Sequence, residues 1–182
     1  MPHPYDSLAE HLRNALDELQ RLQLGASLSK GRVGEILLAH FLGHRLHVSN
    51  RGADGIGPDG RKYEYKVSHD DQFNFNFGHA RGAGSIPDLV NTHFDGFEGA
   101  FCALMNGSRL TKVVYCPCTT LVPYLRAHLA TVTGSTFQKV FSPIESFSKL
   151  QGAQWLLRAP VNANVAQPVV QADLTASDET AA

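Results

Sequence analysis

Three residue types able to act on a phosphodiester lie close together in the sequence. Asp54 precedes Glu64 by ten positions, and Lys66 follows two residues later. Between them, residues 58–60 read Pro-Asp-Gly, where Pro presets φ and Gly tolerates a positive φ, so the pattern predicts a turn between two short strands. Such a turn would bring both carboxylates and the ammonium to one edge of a small sheet. Metal-dependent cleavage of a phosphodiester requires groups of this kind.

The segment after the turn, residues 61–68, alternates in polarity as a strand does. One predicted face carries Tyr63, Tyr65 and Val67, and the other carries Glu64, Lys66 and Ser68. The apolar face can be buried, which leaves the charged face either for chemistry or for solvent. A Glu-x-Lys pair on a solvent-exposed strand is the alternative interpretation, and such a pair contributes little to stability.

Two helices are predicted before this hairpin. The first spans residues 6–25, with a capping box from Ser7 and an apolar row that ends at Gly25, and its apolar positions are Leu8, Leu12, Ala15, Leu16, Leu19 and Leu22. The second spans residues 29–42 and ends at Gly43. Its predicted buried stripe consists of Val33, Ile36, Leu37 and Phe41. This second helix carries Glu35 in its first turns.

Period-two patterns predict further strands. They lie at 45–49, 73–77, 99–105, 110–115 and 137–141, with a hairpin turn at Asn106-Gly107. The aromatic side chains of 73–77 are expected to pack in the core, and a glycine-rich loop is expected at 78–85. A helix at 119–131 should pack through its leucines, with Pro123 in its first turn, and a final helix should start with a capping box at Ser142.

Composition favours one domain. A chain of 182 residues with 43% hydrophobic residues can form one substantial core. We predict a single domain at 1–158 and a disordered tail at 159–182, where periodicity is lost. The sequence has 16 Lys plus Arg against 17 Asp plus Glu, so any nucleic-acid site must be a local patch. Residues 30–81 hold eight basic residues against six acidic ones, and a bound cation would neutralise three of those acids.

The three cysteines are an odd number, and no apolar run reaches the length of a membrane span. Ordinary thiols in a cytoplasmic protein without membrane contact are therefore expected.

Together these residues resemble the core of the PD-(D/E)XK nuclease superfamily. The resemblance rests on Gly31-Arg-Val-Gly-Glu35, Asn50-Arg-Gly-Ala-Asp54 and Tyr63-Glu-Tyr-Lys66, in that order, and covers residues 29–125. Ala53 stands where a proline often precedes the aspartate, at a loosely kept position. The size and the polar segments after the motif look most like type II restriction endonucleases. The resemblance implies an α/β fold with a central mixed β-sheet flanked by helices.

The resemblance also implies a specific role for each of the site residues. Asp54 and Glu64, with the backbone carbonyl of Tyr65, would bind Mg²⁺, for which Mn²⁺ is an alternative. Lys66 would position or help deprotonate the attacking water and offset developing negative charge. Glu35 would complete a second-metal or outer-shell site.

DNA contacts are predicted on both sides of the motif. Arginine and amide side chains can read base edges, and basic residues bind phosphates. Lys30, Arg32 and Arg51 are the candidates for backbone contacts. The candidates for base or phosphate contacts are Gln72, Asn74, Asn76, His79 and Arg81.

Three functional classes remain open. The first is a Mg²⁺-dependent, sequence-specific endonuclease acting on double-stranded DNA, expected to be a homodimer because a two-fold axis suits a palindrome. The second is a repair, recombination or defence nuclease that recognises DNA structure. The third is a nucleic-acid-binding domain without turnover, which the intact Asp54, Glu64 and Lys66 set disfavours.

Overall fold

The fold is described for residues 6–24, 29–47, 53–79, 86–131 and 137–159 of a computed structural model. The helices are α1 (Asp6–Arg21), α2 (Lys30–Leu42), α3 (Ile86–His93), α4 (Cys118–Ala130) and α5 (Ile144–Phe147). The strands are β1 (Arg45–Leu46), β2 (Gly55–Ile56), β3 (Lys62–Ser68), β4 (Phe73–His79), β5 (Phe97–Asn106), β6 (Arg109–Pro117), β7 (Phe137–Ser142) and β8 (Gln154–Arg158). The predicted tail beyond residue 159 lies outside the described ranges.

A six-stranded mixed sheet forms the centre of the fold, in the order β1-β2-β3-β5-β6-β8. Strands β3 and β5 run parallel, and the other neighbours are antiparallel. Parallel neighbours need a crossover connection, and α3 lies within the connection from β3 to β5. The α/β class with a central mixed sheet flanked by helices, predicted from the sequence, is confirmed.

The alternation of β3 is also as predicted, but both of its faces are covered. Tyr63 and Tyr65 pack with α2 in one core, together with Phe101 of β5. On the opposite face, Ala100 and Cys102 of β5 belong to a second core under α3 and α4. Glu64 and Ser68 are buried on this second side. The alternative of a solvent-exposed Glu-x-Lys pair is therefore wrong for Glu64.

Strands β4 and β7 form a separate antiparallel ribbon. Phe73 and Phe75 are fully buried in the second core, whereas Asn74 and Asn76 are exposed. The expectation that these phenylalanines pack in the core is confirmed. The ribbon thus presents an apolar face to the protein, and its solvent face carries Asn74 and Asn76 together with the exposed Phe141 of β7, which lies opposite Asn74.

Helix α2 begins and ends as predicted. Ser29 accepts a hydrogen bond from the Arg32 amide at 3.1 Å, and Gly43 ends the helix with φ of 66°. The buried residues differ from the prediction, however, because Leu38 and Ala39 are buried whereas Val33 and Ile36 are half-buried.

Gly34 explains the difference. A Cβ there would lie 2.6 Å from Val67 Cγ1, so the glycine allows the helix to approach β3 on this side.

Helix α1 begins at Asp6, as predicted, but its cap and its end differ from the prediction. Ser7 lies within the helix, so it is not the cap, and the helix ends at Arg21. Gln23 adopts a φ of 58°, and the Leu24 amide bonds the Leu19 carbonyl at 2.9 Å, as in a C-terminal capping motif. Gly25, the predicted end, lies outside the described residues. Leu19 is buried, whereas the remaining leucines of the row are exposed, namely Leu8, Leu12, Leu16 and Leu22.

Several boundaries in the C-terminal half were wrong. Pro123 lies in the second turn of α4. Helix α5 is only four residues long, and its N-cap is Pro143, which makes no side-chain capping bond. Asp71 takes over this role, because its Oδ1 accepts a hydrogen bond from the Ile144 amide at 2.9 Å.

Other elements were missed or misplaced. Strands β4 and β5 are longer than predicted, and β8 and α3 were not predicted at all. The strand predicted at 45–49 is described only at Arg45–Leu46. The three cysteines carry free thiols, as expected. None of the helices in the described ranges is long and apolar enough to cross a membrane.

Candidate active site

Asp54 is held against β3 by two backbone contacts. It directly precedes β2, whose register pairs Gly55 with Tyr63, so the next position places Asp54 opposite Glu64. Its amide donates to the Tyr63 carbonyl at 3.0 Å, and its Oδ2 accepts from the Tyr65 amide at 2.8 Å. Residues opposite each other on antiparallel strands share a face. Asp54 therefore lies on the same face as Glu64 and Lys66.

Glu64 and Lys66 form an ion pair on this face. The Lys66 ammonium contacts Oε1 of Glu64, and only 5% of the Glu64 side chain is exposed. The ammonium also lies 5.3 Å from the centre of the Phe75 ring on β4. Because the sheet and the ribbon surround it, this pair is far less screened by solvent than a surface pair.

The two acids are in different electrostatic states. Burial raises the pKa of Asp54 to about 6, and the nearby Glu64 charge adds to this effect. Burial alone would also raise the pKa of Glu64, but a hydrogen bond from His93 and the charge of Lys66 bring it below its ordinary value. Burial opposes the charge of Lys66, yet Glu64 and Asp54 raise its pKa. At neutral pH the site contains two carboxylates and one ammonium.

Tyr65 joins the site through its backbone. Its amide points to Asp54, and the carbonyl of a strand residue points to the same edge as its amide. The Tyr65 carbonyl therefore faces the Asp54 edge, as its predicted role as a ligand requires. The side chain points to the other core, where its hydroxyl lies 2.8 Å from Nδ1 of His44. A Cβ at Gly55 would lie 2.1 Å from that hydroxyl, so the glycine makes room for it.

Glu35 is not in contact with the other three residues. It lies on α2, which packs on the tyrosine face of the sheet, and its Oε2 bonds Nη1 of Arg32 at 2.9 Å. Its charge still contributes to raising the pKa of Asp54, after burial and Glu64. The structure thus places Glu35 near enough for an electrostatic effect and bound to a different partner.

His93 is the site residue that the sequence analysis missed. It is the last residue of α3, and its Nε2 lies 3.4 Å from Oε1 of Glu64. Because no helix was predicted in this region, its histidine was not considered. The available signal was Ser-Ile-Pro-Asp at 85–88, which has the spacing of a capping box.

The predicted DNA-binding residues fall into three groups. Asn74 and Asn76 are exposed on the solvent face of the ribbon, and Gln72 is exposed just before β4. Arg32 is largely buried, because its guanidinium bonds the Leu24 carbonyl at 2.8 and 3.1 Å as well as Glu35. This geometry does not support a phosphate contact by Arg32. Arg51, Arg81 and the side chains of Lys30 and His79 lie outside the described residues.

The donor set for a metal ion consists of oxygen atoms. No group of three or more His, Cys, Asp or Glu side chains in the described part of the chain is arranged to hold a metal ion. Mg²⁺ commonly uses one or two protein carboxylates and retains several waters. Asp54 and Glu64, with the Tyr65 carbonyl, fit this requirement, and the mutual repulsion of the two acids would be relieved by a cation.

Comparisons with known proteins give no independent assignment. The sequence matches no protein-family model and no curated protein.

Proposed function

We propose that this protein is a Mg²⁺-dependent endonuclease that hydrolyses phosphodiester bonds in double-stranded DNA at specific sequences, as type II restriction enzymes do. The observation that carries the proposal is the convergence of Asp54, Glu64 and Lys66 on one face of β2 and β3. Two neighbouring carboxylates beside an ammonium suit a reaction that binds a divalent cation and builds negative charge.

The order of elements supports the same proposal. The resemblance to PD-(D/E)XK nucleases requires a helix with a glutamate, a strand, and a hairpin bearing the Asp and the Glu-x-Lys. The chain provides α2 with Glu35, then β1, then the β2–β3 hairpin. Further strands and helices follow, as the resemblance requires. Any one of these short motifs can occur by chance. Their occurrence together, in this order and on these elements, supports the proposal more strongly than a single motif would.

Asp54, Glu64 and the Tyr65 carbonyl would hold the ion. When bound, Mg²⁺ supplies Lewis-acid polarisation of the scissile phosphate. The protein positions these ligands through the Tyr65 amide bond to Asp54 and through the ion pair on Glu64. Both interactions involve residues of β3, so this strand fixes the positions of the ligands relative to one another.

Lys66 acts as a donor in this proposal. In the metal-free site, Glu64 and Asp54 raise the pKa of Lys66, which favours the ammonium form. The ammonium can orient the attacking water and offset the charge that develops on the phosphate oxygens. Burial of the pair strengthens this effect because less solvent screens the charge.

The β4–β7 ribbon is the element best suited to contact the DNA. Its inner face borders the site, because the Lys66 ammonium lies 5.3 Å from Phe75. Its outer face exposes Asn74, and Gln72 is exposed just before β4; the amides of both can pair with adenine. Neither strand contains an acidic residue, which favours a polyanionic partner. A two-stranded ribbon also fits the width of a DNA major groove.

The proposal includes a homodimer, because two active sites related by a two-fold axis can cut both strands of a palindrome. Sedimentation at several protein concentrations, with and without duplex DNA, tests this part. A particle that stays monomeric on cleavable DNA would contradict it.

The deciding experiment is incubation of the purified protein with long unmethylated DNA, with and without Mg²⁺. Discrete bands that require Mg²⁺ would support the proposal. A smear would replace it with a nonspecific nuclease. Flap and four-way-junction substrates belong in the same series, since cleavage of these alone would assign a structure-specific nuclease. Binding without cleavage of any substrate would favour the non-catalytic class.

A further inference from the structure

His93 is placed at the site by the crossover between the two parallel strands. It is the last residue of α3, which precedes β5, and β5 pairs with β3 beside Glu64. Its side chain is 33% exposed, and Nε2 lies 3.4 Å from Oε1 of Glu64. Helix α3 thus places Nε2 of His93 next to the deeply buried carboxylate of Glu64.

Aromatic rings hold the imidazole in one orientation. Phe77 and Phe94 meet it edge to face, with centroids 5.2 and 4.9 Å away. Phe97 lies parallel to it at 6.3 Å. A phenylalanine at position 93 could make the same packing contacts. The packing therefore explains an aromatic residue at this position, and the contact with Glu64 explains a histidine.

Both partners of Glu64 use the same oxygen. The Lys66 ammonium and His93 Nε2 each approach Oε1, which leaves Oε2 as the oxygen for a further ligand. In the proposed reaction, the Lys66 ammonium must also serve the phosphate. His93 is clamped by its aromatic neighbours, so it can fix the carboxylate independently of Lys66.

We propose that His93 is a positioning residue that orients the Glu64 carboxylate, so that one oxygen is occupied by the imidazole and the other is directed to the divalent ion. This inference rests on the proposed function, because it assigns Glu64 as a ligand. It adds to that function an outer-shell contact from the crossover helix. Groups that orient metal ligands commonly change metal affinity by about 10- to 100-fold.

The test compares two substitutions with opposite chemistry. His93→Phe keeps the aromatic packing and removes the nitrogen, whereas His93→Gln keeps an N–H donor near the position of Nε2. His128→Phe is the matched control, since His128 also lies in the last turn of a helix and packs on an aromatic ring, that of Tyr124. Thermal unfolding of each variant verifies that the fold is retained.

Mn²⁺ affinity, measured without DNA by electron paramagnetic resonance, is the first readout, and single-turnover cleavage of duplex DNA is the second. We expect His93→Phe to bind Mn²⁺ at least about tenfold more weakly and to cleave correspondingly more slowly. His93→Gln should recover most of both losses, and His128→Phe should match the wild type.

If a folded His93→Phe variant keeps wild-type Mn²⁺ affinity and cleavage, the inference about His93 is overturned and the proposed function is not affected. A loss that His93→Gln does not relieve would also overturn it, because packing and not the donor would then be responsible. Failure of the wild-type protein to bind Mn²⁺ would overturn the proposed function and this inference together.

Discussion

The backbone amide of Tyr65 donates a hydrogen bond to Oδ2 of Asp54 across 2.8 Å. Asp54, which precedes β2, is therefore hydrogen-bonded to β3, the strand that carries Glu64 and Lys66. This bond couples the geometry of the site to the backbone of β3. A substitution of Asp54 that keeps this hydrogen bond can therefore remove the charge of the site and leave the fold intact.

Lys66→Ala should lower the rate of duplex cleavage by about 100- to 1000-fold while DNA binding remains measurable. The reason is the loss of the ammonium that pairs with Glu64, which leaves His93 as the remaining partner of that carboxylate. Single-turnover cleavage and a gel-shift assay are the measurements. Lys112→Ala is the control, because Lys112 also pairs with a carboxylate, Glu145 at 3.2 Å. Unchanged cutting by Lys66→Ala would refute the assignment of the site.

Asp54→Asn should weaken Mn²⁺ binding at least about tenfold and remove most of the cleavage. The amide oxygen can still accept the hydrogen bond from Tyr65, so the fold should survive the substitution. Calorimetric titration of Mn²⁺ measures the affinity, and circular dichroism reports the fold. Asp17→Asn on the exposed side of α1 serves as the control. Equal Mn²⁺ affinity in the two variants would exclude Asp54 as a ligand.

The stability of the metal-free protein should depend on pH through Asp54. Its pKa is raised to about 6 from 3.8, so the folded state binds the proton more tightly than the unfolded state. The stabilisation is fully present below about pH 4 and is lost as the pH rises to about 6, by up to about 3 kcal/mol.

Urea unfolding at several pH values, in the presence of a chelator, measures this dependence. The wild type should lose more stability than Asp54→Asn between about pH 4 and pH 6. Identical slopes for the two proteins would contradict the raised pKa.

Arg32→Met should destabilise the fold by about 1–3 kcal/mol. The substitution removes the bonds that join α2 to the Leu24 carbonyl and leaves Glu35 without its partner. Arg21→Met is the matched control, because the Arg21–Glu18 pair is exposed and should contribute nothing measurable. The denaturant midpoint at constant m-value is the measurement. Equal stability of the two variants would mean that the Arg32 network is not structural.

Asn74→Ala and Gln72→Ala should each weaken specific DNA binding by about tenfold or more, without a change in thermal stability. Both side chains are exposed, Asn74 on the solvent face of the ribbon and Gln72 just before β4, so their loss creates no cavity. Fluorescence anisotropy with a cleavable duplex gives the affinity. Gln154→Ala on β8, another exposed strand amide, is the control. If all three variants bind DNA equally, the ribbon is not the recognition element.

Much of this fold could be predicted because local signals agreed with the tertiary structure. Ser29 and Gly43 bound α2 as their capping preferences require, and the Pro-Asp-Gly turn forms the β2–β3 hairpin. The alternation in β3 correctly separated Tyr65 from Glu64. Periodicity shows which residues share a face, but it does not show that a second layer will cover the polar face. The burial of Glu64 therefore emerged only from the structure.

The contacts that sequence reasoning missed are long-range. The hydrogen bond from Ile144 to Asp71 joins residues 73 positions apart, and no local pattern encodes it. His93 was missed because α3 is a short helix next to a glycine-rich segment, which the composition suggested was a loop. Arg32 was assigned to DNA because its type and position suited a phosphate contact. Its internal partners depend on how α1 ends near Leu24.

The short length of β2 has a consequence for the backbone donors of β3. β2 pairs with only the first two residues of β3, Lys62 and Tyr63, and beyond them the Tyr65 amide meets a side chain. The Asp54 carboxylate accepts the hydrogen bond of the Tyr65 amide, so this backbone donor is satisfied within the chain, as a third residue of β2 would otherwise have to do.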